Sequence, residues 1–255
     1  MNKYFLLVVS TLCISTGSFS QSYPQNYFRS PLNIPMQLVA NFGEIRANHW
    51  HMGLDIRTQQ RVNLPVYAAA EGYISRVSAE PGGFGQAVYI NHPNGYTTVY
   101  GHLNSFFPAL AEYVKQQQYA QESWKIDLEI PVGKFPVEKG DFIALSGSTG
   151  ASEGPHVHFE IRDTKTGNNL NPLLFRFPVA DNVPPPLLRI GMYDRDKSTY
   201  EQSPVIYGLK KTGFGTYVLA GSNTIKSTSN NISFAIGAVD RFSNSANPNG
   251  IYSAS

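Results

Sequence analysis

The chain has 255 residues, with 20 Lys and Arg against 18 Asp and Glu, 15% charged residues and a formal net charge of +2. That balance argues against a nucleic-acid-binding or membrane-surface protein, which would carry a basic excess. The length suits one large domain or two small ones, and 15 Tyr, 15 Phe, 22 Gly and 17 Pro suit a β-rich, loop-rich fold.

The N-terminus reads as a secretory leader over residues 1–20. Lys3 gives the positive start, and Phe5-Leu6-Leu7-Val8-Val9 opens an apolar stretch that ends near Ile14. Ser18-Phe19-Ser20 supplies small residues at the cleavage positions, placing the cut after Ser20. The stretch is shorter than the roughly 20 residues a membrane span needs. Cys13 is the only cysteine and lies in this segment, preceded by Leu12 rather than the small residue a lipoprotein would want. The mature chain therefore forms no disulfide. The expectation is an exported protein of the periplasm, cell envelope or medium, with no membrane span in the mature chain.

Residues 21–40 read as an extended lead-in. From residue 41 to about 103 the pattern is β: Val66–Ala70, Gly72–Val77, Gln86–Ile90 and Tyr96–Tyr100. Asn94-Gly95 joins the last two as a hairpin in which both residues take positive φ. Residues 104–136 form an insert, with a helix expected from Pro108 to Tyr119 and an alternating strand over Trp124–Ile130. Strands follow at Phe142–Leu145 and His156–Arg162, separated by the Gly/Ser-rich loop Ser146–Pro155. Asn171-Pro172 ends this region. The first domain is drawn over 41–180, a stiff linker containing Val183-Pro184-Pro185-Pro186 over 181–186, and a β-rich second region over 187–255. That region is small for an independent sandwich, so the chain is expected to stop inside a domain. The fold class is mainly β, with a helical insert and a partial β-sandwich-like region after it.

The chemistry lies in the histidines. The patterns are His51-Met52-Gly53-Leu54-Asp55 and His156-Val157-His158, with His102 between them. On a strand His156 and His158 face the same side. Asp55 sits between Leu54 and Ile56, an apolar setting in which a carboxylate needs a partner, and a cation is the simplest. Zinc takes His nitrogen and carboxylate oxygen, and a catalytic zinc site keeps a position open for water. Together the residues suggest a zinc hydrolase. Singly they have plainer readings: a solvated His pair, an Asp capping a turn, a structural His102. His92, in Asn91-His92-Pro93-Asn94-Gly95, reads as a solvated turn histidine.

Asn48-His49-Trp50-His51-Met52-Gly53-Leu54-Asp55-Ile56 resembles the first metal motif of the lysostaphin-type (LytM-like) zinc metallopeptidases. Tyr100-Gly101-His102-Leu103 resembles their middle histidine motif. Gly147-Ser148-Thr149-Gly150 and Gly154-Pro155-His156-Val157-His158-Phe159-Glu160 resemble the last. The resemblance spans roughly residues 41–175 and says nothing about 187–255. It implies an antiparallel β-sheet groove and one zinc ion held by His51, Asp55 and His158. His102 and His156 would flank the water and the substrate carbonyl, and which of them is the base is left open. With one Asp ligand the ligand set leaves a net charge of about +1 on the metal, which then lowers the pKa of its water to about 7 and polarises the carbonyl. His49 is set aside because only His51 makes the His-x-Gly-x-Asp spacing. Glu160 shares the face of His156 and His158 and is read as a partner to a ligand or a solvated carboxylate. Tyr113, Tyr119 and Trp124 are read as packing the insert rather than walling the groove.

The implied activity is an exported endopeptidase acting on peptides of bacterial peptidoglycan. The rivals are a silent, hydrolase-activating protein of the same fold, an exported zinc carboxypeptidase and a sugar-binding protein. Oligomeric state is not readable.

Overall fold

The computed structural model of the chain describes residues 23–243 and 248–249. The expected leader, with Cys13, lies outside the described residues. No helix among those residues is long and apolar enough to cross a membrane.

The first sheet is antiparallel throughout. Its strands are β1 (Leu38–Ala40), β2 (Leu54–Arg57), β3 (Pro65–Tyr67), β4 (Gly72–Ala79), β5 (Gln86–Asn91), β6 (Tyr96–Phe106), β7 (Ile126–Glu129), β8 (Pro136–Val137), β9 (Phe142–Ser146), β10 (His156–Asp163) and β11 (Asn169–Leu170). The order is β1-β2-β10-β6-β5-β4-β7, with β9 bridging β6 to β3. The mainly β class holds.

Period-two alternation builds the two faces of this sheet. Leu54 and Ile56 of β2, Tyr100 of β6, and Val157, Phe159 and Ile161 of β10 are fully buried on one face. Asp55, His156, His158 and Glu160 occupy the intervening positions on the other. The lead-in joins the same core through Phe28, Leu32, Met36 and Leu38.

The insert contains one helix, α1 (Pro108–Ala120), which starts with Pro at its first turn and buries Leu110 and Val114, four residues apart. Tyr113 packs edge-on against Phe135 at 5.7 Å, whereas Tyr119 and Trp124 are exposed. None of the three lines the groove described below.

Two turn readings are corrected. The turn after β5 is not an Asn94-Gly95 pair of positive φ, because only Gly95 has it, at +85°. Gly95 N bonds His92 O at 3.1 Å, which centres the turn on Pro93-Asn94, where the fixed φ of proline suits the first central position. His92 is not solvated but 5% exposed. Its Nδ1–H donates to Glu71 O at 2.7 Å and its Nε2 accepts from Thr98 Oγ1 at 2.8 Å, so it pins the turn to β6 from inside.

Beyond the Pro-rich stretch, β12 (Leu187–Asp194), β13 (Val205–Gly213), β14 (Thr216–Leu219) and β15 (Ile232–Ala238) form a second antiparallel sheet in the order β14-β13-β12-β15. Register places Met192 beside Val205 and Phe234, and Ile190 beside Tyr207 and Ile236, on one apolar face. Val205, Phe234 and Ile236 are exposed there.

Candidate metal centre and groove

β2 and β10 are antiparallel neighbours, with Asp55 directly opposite His158 and Arg57 opposite His156. His51 enters from the bend before β2. Three donor atoms converge: His51 Nε2 lies 3.0 Å from Asp55 Oδ1 and 3.1 Å from His158 Nδ1, which is itself 2.8 Å from Asp55 Oδ1. All three residues are buried.

The outer nitrogens fix which ring atoms face inward. His51 Nδ1–H donates to Asn41 O at 2.7 Å, leaving the Nε2 lone pair toward Asp55. His158 Nε2–H donates to Glu160 Oε1 at 3.0 Å, leaving Nδ1 inward. Anchoring the outer N–H on a carbonyl or carboxylate is how proteins orient metal-binding histidines. Two lone pairs and a carboxylate oxygen within 3.1 Å repel one another unless a positive charge sits among them. Burial raises the Asp55 carboxyl, but the imidazoles of His156, His158 and His51 around it hold it well below the usual carboxylate range. Burial works against charge on His158, yet the Asp55 and Glu160 carboxylates raise it to about 9. A cation among the three donor atoms would relieve their repulsion, and the donor set fits a metal ion.

Gly53 makes this packing possible. A Cβ there would stand 2.6 Å from Phe159 O, 2.8 Å from His158 Nε2 and 2.9 Å from Glu160 Cγ. Glu160 is 2% exposed. Its Oε2 accepts from Arg162 Nε at 2.6 Å and Asn169 Nδ2 at 2.8 Å, which settles its reading as a partner to His158 rather than a solvated carboxylate.

His102 comes to the cluster by a backbone exception. Strict alternation along β6 would put it on the core face with Tyr100. Its φ of 59° breaks the alternation, at a cost of about 1–3 kcal/mol for a residue with a Cβ. Its ring then lies 4.7 Å from His156 and 5.9 Å from His158. Nδ1–H donates to Thr149 O at 2.8 Å. Thr149 is locked in turn, its hydroxyl donating to Leu103 O at 2.8 Å and accepting from Gln86 N at 2.9 Å. Burial, then the neighbouring His156, push the His102 imidazole down to about 4. His156 Nδ1–H donates to Gly154 O at 2.8 Å, and its Nε2 lies 3.4 Å from Asp55 Oδ1.

These residues line an open groove of about 930 Å³, with Trp50, Phe84, Glu80, Glu153 and Arg46 among its walls. His49 lines the groove too, but its ring bonds Asn48 Oδ1 at 2.6 Å and stays out of the cluster. The structure thus gathers His51, Asp55, His158, His102 and His156. Sequence reasoning missed the supports at Asn41, Thr149, Arg162 and Asn169. Asn41 and Thr149 act through backbone carbonyls, which no residue type announces.

The profile of peptidase family M23 matches residues 49–123 and 127–172, the stretch that carries every residue of the cluster. Over these residues the chain is similar to peptidase family M23. An uncharacterized metalloprotease of Haemophilus influenzae is 34% identical over 58% of this chain and 25% of its own length. The DD-carboxypeptidase/endopeptidase Mpg of Neisseria meningitidis serogroup B is 33% identical over 51% of this chain and 24% of its own. The peptidoglycan DD-endopeptidase ShyC of Vibrio cholerae is 29% identical over 66% of this chain and 35% of its own. The chain spans about a quarter of the length of the first two relatives.

Proposed function

We propose that the chain is an exported zinc-dependent endopeptidase that hydrolyses peptide bonds in the crosslinks or bridges of bacterial peptidoglycan. The observation that carries this reading is the convergence of His51 Nε2, Asp55 Oδ1 and His158 Nδ1, each turned inward by its outer partner, in a groove with two further histidines. Peptidoglycan enters through the named activities of Mpg and ShyC, and export through the leader pattern of residues 1–20. Among the rivals, a silent activator has no need of a complete donor set.

In this reading those three atoms hold the zinc ion. When bound, it supplies Lewis acidity toward the scissile carbonyl and acidifies water. His102 is the base: its Nδ1–H is committed to Thr149 O, which leaves Nε2 as the acceptor for a proton of the attacking water, and burial beside His156 holds the ring neutral before the reaction. His156, anchored by Nδ1–H on Gly154 O, leaves Nε2 toward the reacting groups, and once that nitrogen has taken up a proton it would donate to the tetrahedral oxyanion. Phe84, with its ring 5.0 Å from that of His158, keeps water off that side of the ligand.

The test is to incubate the purified mature chain with defined peptidoglycan, with and without a chelator, and to read the muropeptides. Chelator-sensitive loss of crosslinked dimers is expected. Release of single terminal residues would move the reading to a carboxypeptidase, the other activity in the name of Mpg. Unchanged muropeptides from zinc-loaded protein would sink it.

A further inference from the structure

The segment between β1 and β2 folds into a small hairpin. Gly43 N bonds His51 O at 2.7 Å, His51 N bonds Glu44 O at 2.8 Å and Arg46 N bonds His49 O at 2.9 Å, with Gly43 supplying a φ of +85°. The base of the hairpin supports a ligand, because Asn41 O holds His51 Nδ1–H. The tip carries Arg46, whose side chain is 37% exposed and lines the groove.

Arg46 is held loosely. Nη2 lies 3.6 Å from Asp55 Oδ2 and Nη1 lies 3.4 Å from Glu44 Oε2, both beyond the roughly 2.8 Å of a charge-assisted hydrogen bond. Elsewhere in the chain arginines fork tightly onto carboxylates. Arg76 grips Asp127 at 2.6 and 2.5 Å, and Arg162 grips Glu160 at 2.6 and 2.5 Å. Arg46 instead keeps a planar fork of N–H donors at the groove wall, one carboxylate away from the donor cluster. A guanidinium so placed matches an incoming carboxylate bidentately.

We infer that Arg46 is a specificity-determining residue that receives a free carboxylate on the residue flanking the scissile peptide bond. The inference rests on the peptidase reading above. The chemistry has two sources: a C-terminal residue, and a diamino acid crosslinked through its side-chain amine, whose α-carboxylate stays free.

The experiment uses two peptide pairs, each as free acid and as carboxamide: one with the carboxylate at the chain end, one with it on the amine-side diamino acid of a crosslink. Parent, Arg46→Gln and Arg46→Lys are compared by kcat/KM. Calorimetry measures their binding to uncleavable reduced-amide versions, and chelator competition their zinc affinity. The parent should prefer the acid by roughly 10- to 100-fold, and Arg46→Gln should lose that preference, bringing acid and amide to within about twofold of each other. Arg46→Lys should keep part of the preference, and the pair that shows it identifies the source. Parent indifference to the carboxylate overturns the inference. So does a preference that survives in Arg46→Gln, an equal loss on acid and amide, or loss of zinc, which would make Arg46 a mere support for Asp55. If no peptide is cleaved, the peptidase reading fails separately. The uncleavable pair then decides: acid-selective binding lost in Arg46→Gln supports the inference, and equal binding of acid and amide overturns it.

Discussion

Replacing Glu160 by Gln keeps the shape of the side chain and removes one charge from a site that is 2% exposed. The carboxylate has three neighbours, all donors: His158 Nε2 at 3.0 Å, Arg162 Nε at 2.6 Å and Asn169 Nδ2 at 2.8 Å. A carboxamide has one acceptor oxygen and one donor NH2. If the oxygen faces His158, the NH2 points at Arg162 and Asn169, donor against donor. If the oxygen faces Arg162, the NH2 points at His158 Nε2, drives the ring proton to Nδ1 and removes the inward lone pair. The first outcome leaves buried donors unsatisfied, at about 1–3 kcal/mol, and the second removes the lone pair that a metal ion would take. Zinc affinity should fall by roughly 10- to 100-fold, the range for lost partners of ligating histidines. Chelator competition on refolded, purified Glu160→Gln measures it, and kcat at saturating zinc shows whether the loss lies in metal holding. A zinc affinity within about twofold of the parent, below that range, would refute the assignment of Glu160 as the group that orients His158.

Three further outcomes follow from the geometry. His158→Ala should lose both zinc and activity, whereas His102→Ala should keep zinc, by metal analysis of the purified protein, and lose hydrolysis; zinc lost from His102→Ala would undo the division of roles. Gly53→Ala forces a Cβ to 2.6 Å from Phe159 O and should cost about 1–3 kcal/mol by overpacking, with weaker zinc binding; parental values in urea unfolding and chelator competition would contradict it. Burial lowers the His92 pKa, against the opposing hydrogen bond to Glu71 O. The neutral ring's contribution to stability is therefore fully present above the unfolded value of about 6.5 and is lost as pH falls from there through the folded pKa, with a slope of at most about 1.4 kcal/mol per pH unit. His92→Gln should lack that part of the slope in urea titrations between pH 7.5 and 5, and identical slopes in parent and variant would count against it.

Where pattern and geometry coincide, the sequence was legible. Alternation of His156, His158 and Glu160 against Val157, Phe159 and Ile161 marks a two-faced strand, and β10 is that strand. The insert helix was readable from Pro108 and its composition, and it ends one residue beyond the expected boundary. The Asn94-Gly95 signal found the hairpin but not its turn, because Pro93 competes for the central position. His92 was misread since nothing local reports that Phe28, from the lead-in, packs against it at 5.3 Å. His102 was singled out by motif alone; the left-handed φ that turns it from the core face toward His156 breaks the very periodicity by which strands are read. Arg46 carries no spacing signal, because its place depends on how residues 43–51 fold back on themselves.

In the proposed reading, a divalent cation held with Asp55 would carry a net charge of about +1 and so stay electrophilic. Two further carboxylates stand close by, and either would erode that charge if it were unpaired in a buried setting. Glu160, bonded to His158, is matched by Arg162, which forks onto it. Glu44, which accepts from Asn41 N at 3.0 Å beside the carbonyl that anchors His51, is matched by Arg46 at 3.4 Å. His51 and His158 thus each gain a nearby negative charge that supports their orientation, and each such charge has its own arginine. In the proposed reading, the groove would thereby orient its metal-holding histidines by carboxylate-based supports and keep the positive charge that a scissile carbonyl must meet.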